Sequence, residues 1–168
     1  MPSPRISIDL RDRVYFVTFT VKRWYYIFDR HERFKILEDS FSYCQRHKGL
    51  KVYAFVFMLN HLHFVAQAPD LIGVVRDMKK HLSKELRKNI SMTEPSVLSL
   101  FKAQGETFNL WKSGNYPKLI ETEKFFRQKV DYIHSNPVKK LYVHFPEDWR
   151  WSSASKVPTR ITISEIDE

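Results

Sequence analysis

Two short segments of this 168-residue chain carry side chains that could act together on a substrate. The first is His61-Leu62-His63. In a strand, residues two apart point to the same side at ~6.6 Å of rise, so both imidazoles can converge on one ion while Leu62 anchors the backbone in a core. Such a pair is a two-ligand site in need of a third donor; its plain alternative is two partly exposed strand histidines. The spacing is not that of HExxH. The second segment is Asp131-Tyr132-Ile133-His134-Ser135-Asn136-Pro137. On a helix, Tyr132 and Asn136 are four apart and share a face, offering a phenol and an amide oxygen to one place. Here the plain alternatives are an amphipathic packing tyrosine and an asparagine that merely precedes a helix-ending proline.

The elements that must position these groups are legible from periodicity. Residues 14–20 form a β-branched and aromatic run, read as a strand. Phe34, Leu37, Phe41 and Cys44 recur at three- and four-residue steps before Lys48-Gly49, which reads as an amphipathic helix. Residues 52–58 read as a buried strand, and Leu59-Asn60 as a tight turn into a strand over 61–67. One face of that strand packs; the other presents the histidines. Pro69-Asp70 opens a helix whose stripe is Leu71, Val75, Met78, Leu82 and Leu86. Residues 89–107 read as a long loop or partly ordered insertion, and 108–111 and 116–120 as a hairpin across Gly114-Asn115. Thr122 caps a last helix with Phe126, Val130 and Ile133 inward, which Asn136-Pro137 ends. The order is an α+β, ferredoxin-like β-α-β-β-α-β pattern, with helices on one face and an additional C-terminal helix carrying Tyr132. Residues 1–158 are expected to be a single domain, followed by an acidic tail over 159–168.

Composition narrows the partner. Lys and Arg number 28 against 19 Asp and Glu, a net charge of +9. Three of those acids, Glu165, Asp167 and Glu168, lie in the last eight residues, which hold no Lys or Arg. The first 160 residues therefore set 28 basic against 16 acidic side chains, a net +12. A body so basic favours a polyanion such as nucleic acid. Cys44 is the only cysteine, which excludes an internal disulfide and a cysteine-built zinc site and fits a reducing cytoplasm. The four glycines form neither a phosphate-binding loop nor a dinucleotide fingerprint. The opening MPSPRISIDLRDR has no apolar run like that of a secretion signal, and no stretch approaches the ~20 apolar residues of a membrane span, so a soluble protein with no membrane partner is expected.

In their context the two segments resemble the single-tyrosine HUH transposases, and within them the REP-associated tyrosine transposases. The resemblance rests on Phe57-Met58-Leu59-Asn60-His61-Leu62-His63-Phe64, on Tyr132 to Lys139, and on Trp151-Ser152-Ser153. It runs from the Val17-Thr18-Phe19 strand to Ser153, with Trp111-Lys112 where the family usually has Trp-Gln. Leu59 stands where proline is common, and Lys140-Leu141 where a small residue and glycine are common. The resemblance implies a metal-dependent single-stranded DNA endonuclease and transposase. His61, His63 and Asn136 would be ligands of Mg²⁺ or Mn²⁺, and Tyr132 the nucleophile that forms a 5′-phosphotyrosine. It also implies single-stranded or hairpin DNA as substrate, a bacterial cytoplasm, and a monomer in preference to a dimer.

Basic and aromatic residues fit such a substrate. Arg76, Lys79, Lys80, Lys84, Arg87 and Lys88 line the outer faces of the long helix and could track phosphates; alternatively they are simply solvated. Trp111, with Trp24, Tyr25, Tyr26, Phe108 and Tyr116, could stack unpaired bases, or could serve the core. Trp149-Arg150-Trp151 reads either as a second contact patch or as packing. The tail from Arg160 could fold back, add an edge strand or stay disordered. Two other classes stand beside the enzyme: a non-catalytic DNA-binding protein derived from one, and an RNA-binding domain, the latter weakened by the lack of an RNP-like aromatic segment.

Overall fold

The computed structural model describes residues 8–102 and 107–166. The opening segment through residue 7, residues 103–106 of the polar stretch, and Asp167 and Glu168 of the acidic tail lie outside the described residues. The elements run α1 (Ile8–Arg11), β1 (Tyr15–Thr20), α2 (Arg33–His47), β2 (Lys51–Phe57), β3 (His61–Gln67), α3 (Leu71–Thr93), β4 (Lys118–Leu119) and α4 (Glu123–Lys139). They form a mixed α+β structure around one four-stranded antiparallel sheet in the order β2-β3-β1-β4.

Strand β3 lies between β2 and β1, and its alternation sorts the molecule into layers. Leu62, Phe64 and Ala66 join Val17, Phe19, Phe55 and Phe57 against α2 and α3. Val65 joins Phe16, Ala54 and Val56 against Ile133 of α4. Helices therefore cover both faces: α2 and α3 one, α4 the other. The period-3.6 stripes find their place in the first layer, where Leu37 and Phe41 of α2 and Leu71, Met78, Leu82 and Leu86 of α3 are all buried. Asp70 caps α3 by accepting from the Gly73 N–H, and Thr122 caps α4 by accepting from the Phe125 N–H.

Several expectations change. The segment read as a loop from residue 89 starts as helix: α3 runs on to Thr93, burying Ile90, and a 3₁₀ stretch follows over Pro95–Phe101. What holds this end is Arg33, fully buried, which donates to Asn89 Oδ1, the Ile27 carbonyl and Thr93 Oγ1 and pairs with Glu94 at 2.8 Å. A buried guanidinium needs such a full set of acceptors. The expected hairpin over 108–120 is instead one interrupted edge strand. Trp111 bridges Val21, and Lys118 and Leu119 pair with Phe16 and Tyr15. From Trp111 to Lys118 the edge takes seven steps where the chain from Val21 back to Phe16 takes five, so the edge bulges by two residues in the stretch that holds Gly114 at φ +95°. Trp149 and Trp151 are packing residues: Trp149 donates to the Phe57 carbonyl and Trp151 stacks on Phe34 at 5.4 Å.

The outer edge of β2 is covered by the C-terminal region. Phe57 donates to the Trp151 carbonyl and Ser153 to that of Phe55, while Ser164 donates to the Val52 carbonyl and Ile163 bridges Val52 in parallel. Ile161 is buried, and Arg160 pairs with Glu38 and Asp39. The described part of the tail thus folds back on the body.

Helix α4 does not stop at Asn136-Pro137. Pro137 sits in the last turn, and the helix continues to Lys139. It ends in a Schellman motif: Tyr142 N–H donates to the Pro137 carbonyl and Leu141 N–H to that of Val138, with Leu141 at φ +62°. This left-handed position is the one at which glycine is common in the resembled family, and an L side chain there costs about 1 kcal/mol. Leu141 is almost fully exposed and adds no packing to offset that cost. Leu141→Gly is therefore expected to raise stability by about 1 kcal/mol in urea unfolding.

Candidate functional site

Residues on the α4 side of β1 and β3 build the site. His61 and His63 leave β3 on the same face, their ring centroids 4.9 Å apart at 75°. They are not the exposed pair of the simplest sequence reading, since only 7% and 6% of their surface is accessible. The reason is α4, which lies over this face and shields it. The Tyr132 ring stands edge-on to His63 at 5.2 Å and to Phe16 at 6.0 Å, while Phe16 stacks on His63 at 5.3 Å. The phenol itself stays accessible, with Tyr132 39% exposed.

The position of Asn136 follows from how α4 runs along β3. Phe126 touches Tyr53, level with Ala66, at 5.8 Å, and six residues later Tyr132 touches His63. Six helical residues rise ~9 Å and three strand residues ~10 Å, so helix and strand keep step. Four further helical residues, ~6 Å, bring Asn136 level with His61, two strand residues or ~6.6 Å beyond His63. Asn136 lies on the sheet-facing side, only 4% exposed. No side-chain hydrogen bond of Asn136 is found among the described residues, where no buried side-chain nitrogen or oxygen lacks a partner, so its amide atoms are reached by solvent. An amide on this face, level with His61 and committed to no other partner, has its oxygen available as a ligand.

Hydrogen bonds orient both histidine rings and fix the tautomer of His61. His61 Nδ1 lies 2.7 Å from Asn60 Oδ1. An amide oxygen only accepts, so Nδ1 carries the proton and Nε2 keeps its lone pair. The amide cannot turn over, because Asn60 Nδ2 donates to the Trp24 carbonyl at 3.0 Å. His63 Nδ1 lies 2.7 Å from the hydroxyl of Thr18, its register partner on β1. Burial lowers both pKa values, to about 4 for His61 and about 3 for His63; Lys140 adds to the first effect, and His61, Lys129 and Lys118 to the second. Both rings are therefore neutral near pH 7, as ligation demands. Among the described residues no three His, Cys, Asp or Glu side chains gather at one point. The donor set on offer is two imidazoles and an amide, which suits Mn²⁺ better than Mg²⁺.

Cations surround the phenol. Lys129 Nζ lies 4.4 Å from the Phe16 ring centre and 5.5 Å from that of Tyr132, and Lys139 Nζ lies 5.8 Å from Tyr132. Burial lowers the pKa of Lys129, with Lys118 contributing. The sequence reading passed over both, although their spacing of −3 and +7 from Tyr132 is the period of one helical face. Thr18 had no such signal, because only strand register places it.

The expected DNA-contacting residues divide. Arg76, Lys80, Lys84, Arg87 and Lys88 are exposed on α3, but α3 covers the sheet face opposite the histidines. Lys79 is half-buried over Phe19, and burial lowers its pKa. Trp111 requires a correction: it is a core residue, 8% exposed, packed on Phe19 and Phe28, with its indole N–H given to the Lys79 carbonyl. No face remains for a base. Trp24 is the opposite case, 52% exposed and 6.1 Å from His61.

No family model matches the chain. It is 31% identical over 112 residues to an uncharacterized protein of Haemophilus influenzae, covering 56% of this chain and 60% of that one. A second protein of that organism, provisionally named REP-associated tyrosine transposase, is 24% identical over 110 residues, 64% of this chain and 60% of its own length. The REP-associated tyrosine transposase of Escherichia coli is 21% identical over 121 residues, 72% of this chain and 64% of its own length. The chain thus spans about three-fifths of these curated relatives. A solved structure of a REP-associated tyrosine transposase bound to a REP hairpin shares the fold, with a TM-score of 0.65 and 18% identity over 94% of this chain and 89% of that one. In sequence and in fold, the chain is similar to REP-associated tyrosine transposases.

The buried imidazoles carry a pH signature. Unfolded histidines protonate near pH 6.5, while His61 and His63 resist protonation until about pH 4 and 3. The unfolded state therefore takes up more protons as pH falls, and stability present above pH 6.5 is lost progressively towards pH 3. Urea unfolding between pH 7 and 4 should show this loss, and a His61→Asn/His63→Asn variant should show a smaller one.

Proposed function

We propose that this chain, similar in sequence and fold to REP-associated tyrosine transposases, cleaves and rejoins single-stranded DNA beside hairpins. Tyr132 is the nucleophile, and His61, His63 and Asn136 are the ligands of Mg²⁺ or Mn²⁺. The observation that carries the reading is the Tyr132 ring, accessible yet seated 5.2 Å from His63. On this reading the sheet is ferredoxin-like, α4 is the tyrosine-bearing helix, and the protein acts as a cytoplasmic monomer.

The Tyr132 oxygen attacks the phosphorus of a phosphodiester, and the bond from phosphorus to the 3′ oxygen breaks. The phenol proton passes to solvent, and the departing 3′ oxygen becomes a hydroxyl. The segment downstream of the break stays on Tyr132 through its 5′-phosphate, a phosphotyrosine that stores the bond energy until the 3′-hydroxyl attacks it and the strand reseals. No nucleotide triphosphate is consumed. A divalent ion on the two imidazoles and the amide would bind non-bridging phosphate oxygens and stabilise the charge that develops. Phe16 and His63 restrict the phenol ring, keeping its oxygen near the line of attack. Lys129 and Lys139 supply positive charge beside the incoming phosphate. The exposed cations of α3, on the other layer, are left to hold a more distant part of the DNA.

Hairpin oligonucleotides with randomised single-stranded flanks, incubated with Mn²⁺, test this reading. A protein–DNA adduct that survives denaturation is expected from the native chain and none from Tyr132→Phe. An adduct that persists in Tyr132→Phe, or hairpin binding without any adduct in the native chain, overturns the nuclease reading; the second outcome identifies a non-catalytic DNA-binding protein. Asn60→Ala frees His61 to turn and to change tautomer. It is expected to weaken Mn²⁺ binding about 10- to 100-fold by titration calorimetry.

A further inference from the structure

The turn that leaves β1 holds two successive residues in an unusual backbone conformation. Arg23 and Trp24 both take left-handed backbone angles, at φ 57° and 61°. Such angles are unfavourable for any residue with a Cβ, and two in succession persist only where the surroundings impose them. Here Trp24 N–H donates to the Val21 carbonyl, Val21 N–H to that of Asn60, and Asn60 Nδ2 to that of Trp24. The result is an indole 52% exposed, whereas Trp111 is buried and Trp149 and Trp151 are half-buried. Its ring stands edge-on to His61, and Lys112 Nζ lies 5.1 Å from its centre. Lys112 is held in turn on the edge of β1, where its N–H donates to the Thr20 carbonyl.

We propose that Trp24 is the stacking platform for the unpaired base adjoining the reacting phosphate, and that Lys112 holds the backbone of that same nucleotide. The ligand class is single-stranded nucleic acid, recognised through the flat face every base has. Three features support it. An indole half in water has given up much of the burial that would justify a tryptophan in the core. The side chain of Asn60 joins the ring orientation of His61 to the backbone of Trp24, so platform and ligand are placed as one unit. Among the described residues, the charge over the indole is a lysine whose flexible stem can turn from the ring to a phosphate. The exposed cations of α3 connect to this platform: Arg87 lies over Phe108, Trp111 donates to the Lys79 carbonyl, and the next residue is Lys112.

The proposal rests on the nuclease reading for what happens to the phosphate, but its test needs no cleavage. Metal-free protein is titrated with oligo(dT) and with a blunt duplex, following tryptophan fluorescence and anisotropy. Oligo(dT) is expected to quench the native protein. Trp24→Leu should weaken oligo(dT) binding about tenfold or more, and Trp24→Tyr should restore it to within about threefold, since a phenol ring also stacks. Duplex binding should be unchanged in both variants. Lys112→Gln should lower the slope of log K against log salt for oligo(dT) by about 0.7. Oligo(dT) bound by Trp24→Leu as tightly as by the native chain overturns the proposal. So does an equal loss for duplex and single strand, or native binding without quenching. Should Trp24→Leu not fold, the quench and the Lys112→Gln slope decide. Failure of the Tyr132 adduct with this binding intact removes the nuclease reading and leaves the platform; the reverse result removes the platform alone.

Discussion

The structure depends on one constraint, that β3 is buried on both faces. A strand offers alternate residues to opposite sides, and here each side meets a helical layer. Leu62, Phe64 and Ala66 supply the larger core under α2 and α3, which commits His61 and His63 to the face beneath α4. The histidines are thus not placed by any preference of their own. They lie where they do because slipping by one residue would bury two imidazoles among phenylalanines and expose Leu62 and Phe64 to the tyrosine helix.

Burial on that face sets the electrostatics. Two imidazoles that lose water must stay neutral, and each then has one nitrogen that donates and one that keeps a lone pair. Asn60, a turn residue, takes the donating nitrogen of His61, and Thr18, a register partner, bonds Nδ1 of His63. Tyr132 closes the side of the site without sealing it. Its helix must run on through Pro137 to reach a Schellman end, and that continuation is what keeps Asn136 helical and facing the sheet despite the proline that follows it.

The positive charge is spread over both layers. α3 carries exposed Arg76, Lys80, Lys84, Arg87 and Lys88 and sits across the sheet from the phenol, whereas Lys129, Lys139 and Lys112 lie on the side of the histidines. The interrupted edge strand is the bridge between the two. By bulging between Trp111 and Lys118 it keeps Trp111 in the core and Lys112 out at the rim.

Much of this was legible in residue order alone. The strand of His61 and His63, the Leu59-Asn60 turn, the stripes of α2 and α3, and the caps at Asp70 and Thr122 are local patterns, and local patterns are what periodicity and capping chemistry report. The type and spacing of His61, His63, Tyr132 and Asn136 were likewise visible. The sequence could not show that Lys118 and Leu119 pair with β1, and Trp111 with Val21 just beyond it, and not with each other, because pairing partners are a non-local choice. Nor could it show that Trp111 is core while Trp24 is half-exposed, since the same indole serves either purpose and only its neighbours decide. The depth of the histidines, the hydroxyl of Thr18 and the basic layer on the far face all depend on which helix covers which side of the sheet. By itself the sequence determined which groups were on hand and their spacing along the chain. Their meeting was decided in three dimensions, because burial and register are properties of packed layers.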